Sequence, residues 1–144
     1  MLVSQILKSK ASERVLTIRP DDTVAEAARI LSECRIGSLV VSTDGRRADG
    51  IISERDIVRE MGKRGVGCFE EKVREMMTAD IVTCGRADDV IDILTKMTEG
   101  RFRHIPVVEN GELVGLVSIG DVVKARLSEL AMEKDALEGM ITGR

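Results

Sequence analysis

Two stretches decide the fold: "GIISERDIVR", Gly50–Arg59, and "GLVSIGDVVK", Gly115–Lys124. In each, a glycine leads into apolar residues, followed by a serine, two variable residues, an aspartate and a helical pattern. A chain of 144 residues that writes one strand-to-helix junction twice is built from an internal repeat. Outward from the junctions the match continues. Val15–Gly45 lies over Ile81–Gly111 without a gap, at an offset of 66 residues. Thr17 falls on Thr83, Val24 on Val90, Leu31 on Met97, Leu39 on Ile105 and Val41 on Val107. One residue is then lost, so that Gly50 falls on Gly115. Two copies at so long a period do not make a solenoid; they predict a pseudo-dimer that buries a shared face.

Each copy predicts the order β-α-β-β-α. A β-rich run (Val15–Ile18; Ile81–Cys84) precedes acidic or capping residues, Asp22 and Thr23 or Asp88 and Asp89, which suit the positive end of a helix. The helix carries apolar residues at i, i+3, i+4 and i+7: Val24, Ala27, Ala28 and Leu31, then Val90, Ile93, Leu94 and Met97. A glycine follows, Gly37 or Gly100. Strands are predicted over Ser38–Val41 and His104–Val108, and the turn dipeptides Asp44-Gly45 and Asn110-Gly111 lead into second strands over Gly50–Ile52 and Glu112–Val117. Helices then run over Glu54–Met61 and from Gly120 to about Leu130. The helical crossover makes the first strand pair parallel, and the hairpin makes the second antiparallel. Between the copies Gly62, Gly65 and Gly67 mark a loop, and "EEKVREMM" reads as a short linking helix. The expected division is repeat one over 8–65, a linker with its helix over 66–80, repeat two over 74–130 and a helical tail over 131–144. The tail sets Leu127, Leu130, Ala131 and Lys134 along one side, fit to cap the module or meet a partner subunit.

Composition narrows the function. Apolar residues make up 43% of the chain, enough for a core, and the net charge of −3 argues against non-specific nucleic-acid binding. With two Phe and no Tyr or Trp the core is aliphatic, and single-stranded nucleic acid finds no aromatic stacking platform. No apolar run is long enough to span a membrane, and the first residues carry no signal-peptide h-region. Three widely spaced cysteines, Cys34, Cys68 and Cys84, read as reduced thiols in a cytoplasmic setting. One histidine disfavours a zinc site and limits acid–base chemistry, and no phosphate-binding glycine loop or nucleophile triad stands out, so no enzyme is expected.

The Ser-x-x-Asp junction has two readings. It is a capping box, with Ser53 and Ser118 as caps and Asp56 and Asp121 in the first helical turn. The same geometry also serves a ligand: free N–H groups at a helix start receive a phosphate, and a first-turn aspartate accepts hydrogen bonds from the hydroxyls of a ribose. A cap alone does not require the same glycine and apolar lead-in at both places.

The two junctions, the shared period and the "HIPVV" strand (His104–Val108) together resemble a tandem pair of CBS domains, the Bateman module, over about residues 5 to 128. Both junctions carry Ser where the family often has Thr, which keeps the hydroxyl. The resemblance implies an α+β, mixed α/β fold: two β-α-β-β-α repeats packed sheet to sheet about a pseudo-two-fold axis, with an adenosyl ligand in clefts shared between the copies. Carried over by position, one site combines Ser53, Arg55 and Asp56 with Ile81, Val82, Phe102 and Arg103. The other combines Ser118 and Asp121 with Arg14, Val15, Leu16, Ile36, Gly37 and Ser38. The aspartates would hold ribose, the strand residues would sandwich adenine, and Arg101, Arg103 and His104 would supply cations for phosphate. Arg55 stands where the second junction has Gly120, so the sites are not equivalent.

The implied protein is a free-standing module without catalysis of its own. It would bind AMP, ADP, ATP or NAD(H), or alternatively S-adenosylmethionine, without a metal. It would pair into a four-repeat homodimeric disc and modulate a partner protein. A dimerisation module with empty clefts is the competing reading.

Overall fold

The computed structural model describes residues 1–10 and 15–142. Helices and strands mix along the chain: α1 (Val3–Ser9), β1 (Thr17–Ile18), α2 (Val24–Cys34), β2 (Ser38–Val41), β3 (Gly50–Ser53), α3 (Glu54–Arg64), α4 (Val73–Met76), α5 (Val90–Gly100), β4 (His104–Glu109), β5 (Glu112–Ser118) and α6 (Ile119–Thr142). The first repeat forms a sheet in the order β1-β2-β3, with β1 parallel and β3 antiparallel to β2. The second forms the antiparallel pair β4-β5.

The expected strand over Ile81–Cys84 is reduced to a single bridge, Cys84 to Val107. Proline is the reason. Cys84 donates to the Pro106 carbonyl at 3.0 Å and accepts from Val108 at 2.8 Å. The next donor back along β4 would be residue 106, which has no N–H. In the first repeat that position is Val40, and β1 pairs there through Thr17.

The two crossover helices start as their sequences require. Thr23 caps α2 by accepting from the Glu26 N–H at 3.1 Å, and Asp89 caps α5 by accepting from the Ile91 N–H at 3.1 Å. They bury Val24, Ala27 and Leu31, and Val90, Ile93 and Met97. Their ends are not set by Gly37 and Gly100. Each helix stops on a left-handed arginine, Arg35 (φ 53) and Arg101 (φ 56), which are equivalent at the repeat offset. The second hairpin turns tightly at Asn110-Gly111, both with positive φ. The first is a longer loop organised by Asp44, whose carboxylate accepts from the Arg46 and Arg47 N–H groups. Beyond α3, Gly65 sits at φ 80, and Val66–Glu70 forms a 3-10 turn rather than an open loop.

Two aliphatic cores result, and each borrows from outside its own repeat. α1 is absent from the sequence reading, yet it places Val3 and Ile6 in the second core with Cys84, Val90, Ile93, Met97, Ile105 and Val117. α4 places Val73 and Met76 in the first core with Ile18, Val24, Leu39, Val41 and Ile52. The segment leading into each repeat therefore covers the other one.

The repeats also meet at the heads of their middle strands. A Cβ on Gly37 would lie 3.3 Å from the His104 ring. On either side of this meeting point the backbone repeats itself: Glu54 N–H donates to the Gly37 carbonyl at 2.9 Å, and Ile119 N–H to the Arg103 carbonyl at 2.8 Å. α6 then continues without interruption to Thr142, and only Val122 and Ala125 are buried along it.

Candidate functional site

Both Ser-x-x-Asp junctions form the predicted capping geometry. In the first, Asp56 Oδ2 accepts from the Ser53 N–H and from Ser53 Oγ, each at 2.9 Å, and the Asp56 N–H donates to Ser53 Oγ at 3.2 Å. In the second, Asp121 Oδ2 accepts from the Ser118 N–H at 2.9 Å, and the Asp121 N–H donates to Ser118 Oγ at 3.1 Å. These bonds fix both aspartates; Asp56 and Ser118 line two clefts that draw residues from both repeats.

The Ser53 cleft has a volume of about 670 Å³. Ser53, Arg55, Asp56, Ile81, Val82, Phe102 and Arg103 all line it, as do Arg101 and His104. Here the sequence-derived set converges on one space. Glu54, Arg59, Thr78 and Asp80 line it as well, and the sequence reading missed them. Arg59 pairs with Asp56 Oδ1 at 2.9 Å, one helical turn along.

The Ser118 cleft is larger, about 1020 Å³. Val15, Leu16, Ile36, Gly37, Ser38 and Ser118 line it. Asp121 stands behind its wall, linked to the cleft by Lys10, whose ammonium donates to Asp121 Oδ2 at 2.8 Å and to the Leu116 carbonyl at 2.9 Å. Arg14 lies outside the described residues. Lys8, Lys10, Cys34, Arg35 and Arg86 line it as well. The lysines come from α1 and its C-terminal cap, outside the repeat alignment, so no repeat-based reading could find them. Arg35 was findable, because it stands at the repeat offset from Arg101.

One polar atom in this cleft is left over. Ser38 is 2% exposed, and its Oγ has no hydrogen-bond partner among the described residues. A buried hydroxyl without a partner is costly, and a ligand atom in the cleft would satisfy it. His104, at the same place in the second repeat, lines both clefts and forms the wall between them. Burial pushes its imidazole below the ordinary value, and the nearby Lys10 ammonium adds to that effect. Burial alone would raise Asp121, but the hydrogen bonds from Lys10 and Ser118 outweigh it and hold the carboxyl below its ordinary value.

The three cysteines are free thiols. Cys34 is exposed at the Ser118 cleft, while Cys68 and Cys84 are buried; burial pushes Cys84 up to about 12. Among the described residues no cluster of three or more His, Cys, Asp or Glu is placed to hold a metal ion, and no helix is long and apolar enough to cross a membrane.

Comparison with known proteins agrees with this geometry. The sequence model of the CBS domain matches twice, over residues 3–63 and 73–128. The mitochondrial CBS domain-containing protein CBSX3 of Arabidopsis thaliana is 35% identical, over 98% of this chain and 72% of its own. The crystal structure of the CBS-domain protein ATU1752 from Agrobacterium tumefaciens superposes with a TM-score of 0.82 at 41% identity, covering 88% of this chain and 99% of that one. The CBS domain pair of protein MJ0100, solved in complex with 5′-methylthioadenosine and S-adenosyl-L-methionine, superposes with a TM-score of 0.77 at 25% identity, covering 90% of this chain and 98% of that one.

Proposed function

The chain belongs to the CBS-domain family, and from that premise we propose that it is a regulatory module that senses an adenine nucleotide. AMP, ADP, ATP or NAD(H) binds in the clefts between the repeats, and occupancy is passed to a partner protein. The chain carries out no reaction on the ligand. It works as a homodimer of four repeats.

The observation that carries this reading is the pairing of each Ser-x-x-Asp junction with apolar residues at the start of the opposite repeat. Asp56 faces the same space as Ile81 and Val82, and Ser118 the same space as Val15 and Leu16. In the Ser53 cleft a ribose has a carboxylate acceptor in one repeat, and an adenine has apolar walls in the other. The orphan Ser38 hydroxyl adds a polar group that capping does not use.

An S-adenosylmethionine-type ligand is the second reading, favoured by the ligands of the MJ0100 pair. Thermal unfolding with AMP, ADP, ATP, NAD, NADH and S-adenosylmethionine separates the two. A ligand at about 100 times its Kd adds about 2.7 kcal/mol, several degrees for a chain of this size. A shift with one or two nucleotides supports the proposal and names the signal. A shift with S-adenosylmethionine alone supports the second reading. No shift with any of them overturns both and leaves the junctions as helix caps.

A further inference from the structure

The two clefts carry different charge. Lys8, Arg35 and Arg86 line the Ser118 cleft with no ion pair to their side chains among the described residues, although the Arg86 backbone N–H donates to Glu109 at 2.6 Å, and the Lys10–Asp121 pair neutralises itself. Around the Ser53 cleft, Arg55, Arg101 and Arg103 are offset by Glu54 and Asp80, and the Arg59–Asp56 pair neutralises itself. Among the described residues, three unpaired cations and no carboxylate line one cleft, and three unpaired cations and two unpaired carboxylates line the other. The more cationic cleft is also the roomier one, and it holds the orphan Ser38 hydroxyl.

We infer that the Ser118 cleft selects a polyanionic ligand bearing two or more phosphates, whereas the Ser53 cleft takes an adenosyl ligand of little net charge. This reverses the expectation that Arg101, Arg103 and His104 form the phosphate site, and it rests on the proposed adenosyl function only for the base. The Ser38 hydroxyl donates to the ligand from the floor, and Lys8, Arg35 and Arg86 hold the phosphates at the rim. Exposed cations are screened by salt, so the preference weakens as ionic strength rises.

Cys34 gives the experiment a built-in reporter, since it is the exposed thiol and lines this cleft alone. Maleimide labelling of Cys34 is timed in the full chain with ATP, with inorganic tripolyphosphate and with uncharged 5′-methylthioadenosine. ATP and tripolyphosphate are expected to slow labelling about fivefold or more at saturation, and methylthioadenosine to leave it unchanged. Calorimetry on the Lys8→Ala/Arg86→Ala variant is expected to show ATP binding weakened about tenfold or more, the scale of losing charge-assisted contacts. Protection by tripolyphosphate without binding of any adenosyl ligand keeps this inference and defeats the adenosyl reading. ATP binding that leaves Cys34 unprotected, or that is unchanged in the double variant, keeps the adenosyl reading and overturns the inference. Protection by methylthioadenosine at concentrations equal to those of ATP also overturns it.

Discussion

His104 is where the two clefts and the two repeats touch. It packs against Gly37, lines both cavities and is the one histidine of the chain. Its folded value lies below the ordinary one because burial disfavours the imidazolium and Lys10 repels it. The sign of the pH dependence follows. As the pH falls through about 6.5, the unfolded chain takes up a proton that the folded chain refuses, so the unfolded state gains and stability falls. The loss stops once the folded imidazole also protonates. Between pH 7.5 and 5.5 the unfolding free energy of the wild type, read by urea denaturation, should therefore fall more steeply than that of His104→Gln, by at most about 1.4 kcal/mol per pH unit in that window. Parallel curves for the two proteins would show that His104 is not the titrating group. This residue was legible as a site candidate from its place before "IPVV", but its contact with Gly37 was not. That contact joins residues 67 positions apart and needs the two sheets to be assembled.

The doubled glycine is explained at the level of elements. Gly50 and Gly115 open β3 and occupy the middle of β5, and each is pressed by a segment outside the strand's own hairpin. A Cβ on Gly50 would lie 2.8 Å from both the Thr78 carbonyl oxygen and Met77 Sδ. Thr78 is itself held by paired backbone bonds to Ile51 at 2.9 and 3.0 Å, so it cannot withdraw without breaking them. A Cβ on Gly115 would meet Leu7 Cδ2 at 2.6 Å, the tip of a side chain that can rotate. Gly50→Ala should accordingly cost about 1–3 kcal/mol, in the range of overpacked cores, and Gly115→Ala less. Urea denaturation of the two variants tests the order, and a larger loss at Gly115 would contradict it. The glycines that looked like part of a ligand motif thus make room for crossed-over segments. The sequence showed the two crossover helices plainly, because their apolar residues follow a helical period over three turns. It did not show α1, whose seven residues make only two turns, with Val3 and Ile6 buried, too short a run to establish a period. The lost strand at Ile81–Cys84 depended on a proline in the partner strand, Pro106, which no reading of the run itself could weigh.

At the scale of the whole molecule, the repeats close their cores against each other and leave one face unfinished. α3 and α6 expose valines at equivalent places, Val58 at 61% and Val123 at 41%. Further along α6, Leu127, Leu130, Leu137 and Ile141 are all exposed, and with Lys134 they follow a spacing of three and four residues. That spacing puts them on a single seam of the helix. The later part of α6 lies beyond residue 128, where the family match ends, so the two-repeat fold does not account for its apolar residues. A helix with an apolar seam and so little burial gains most of its stability from a partner, and the proposed homodimer supplies one. Light scattering should then give twice the 15.8 kDa chain mass at micromolar concentration. Leu130→Glu with Leu137→Glu should return the single-chain mass. Both cores lie elsewhere, so the variant should keep its helix and sheet content by circular dichroism. A wild-type protein already at the single-chain mass would remove the dimer from the proposed function, while the clefts, which are formed within one chain, would keep their ligand chemistry.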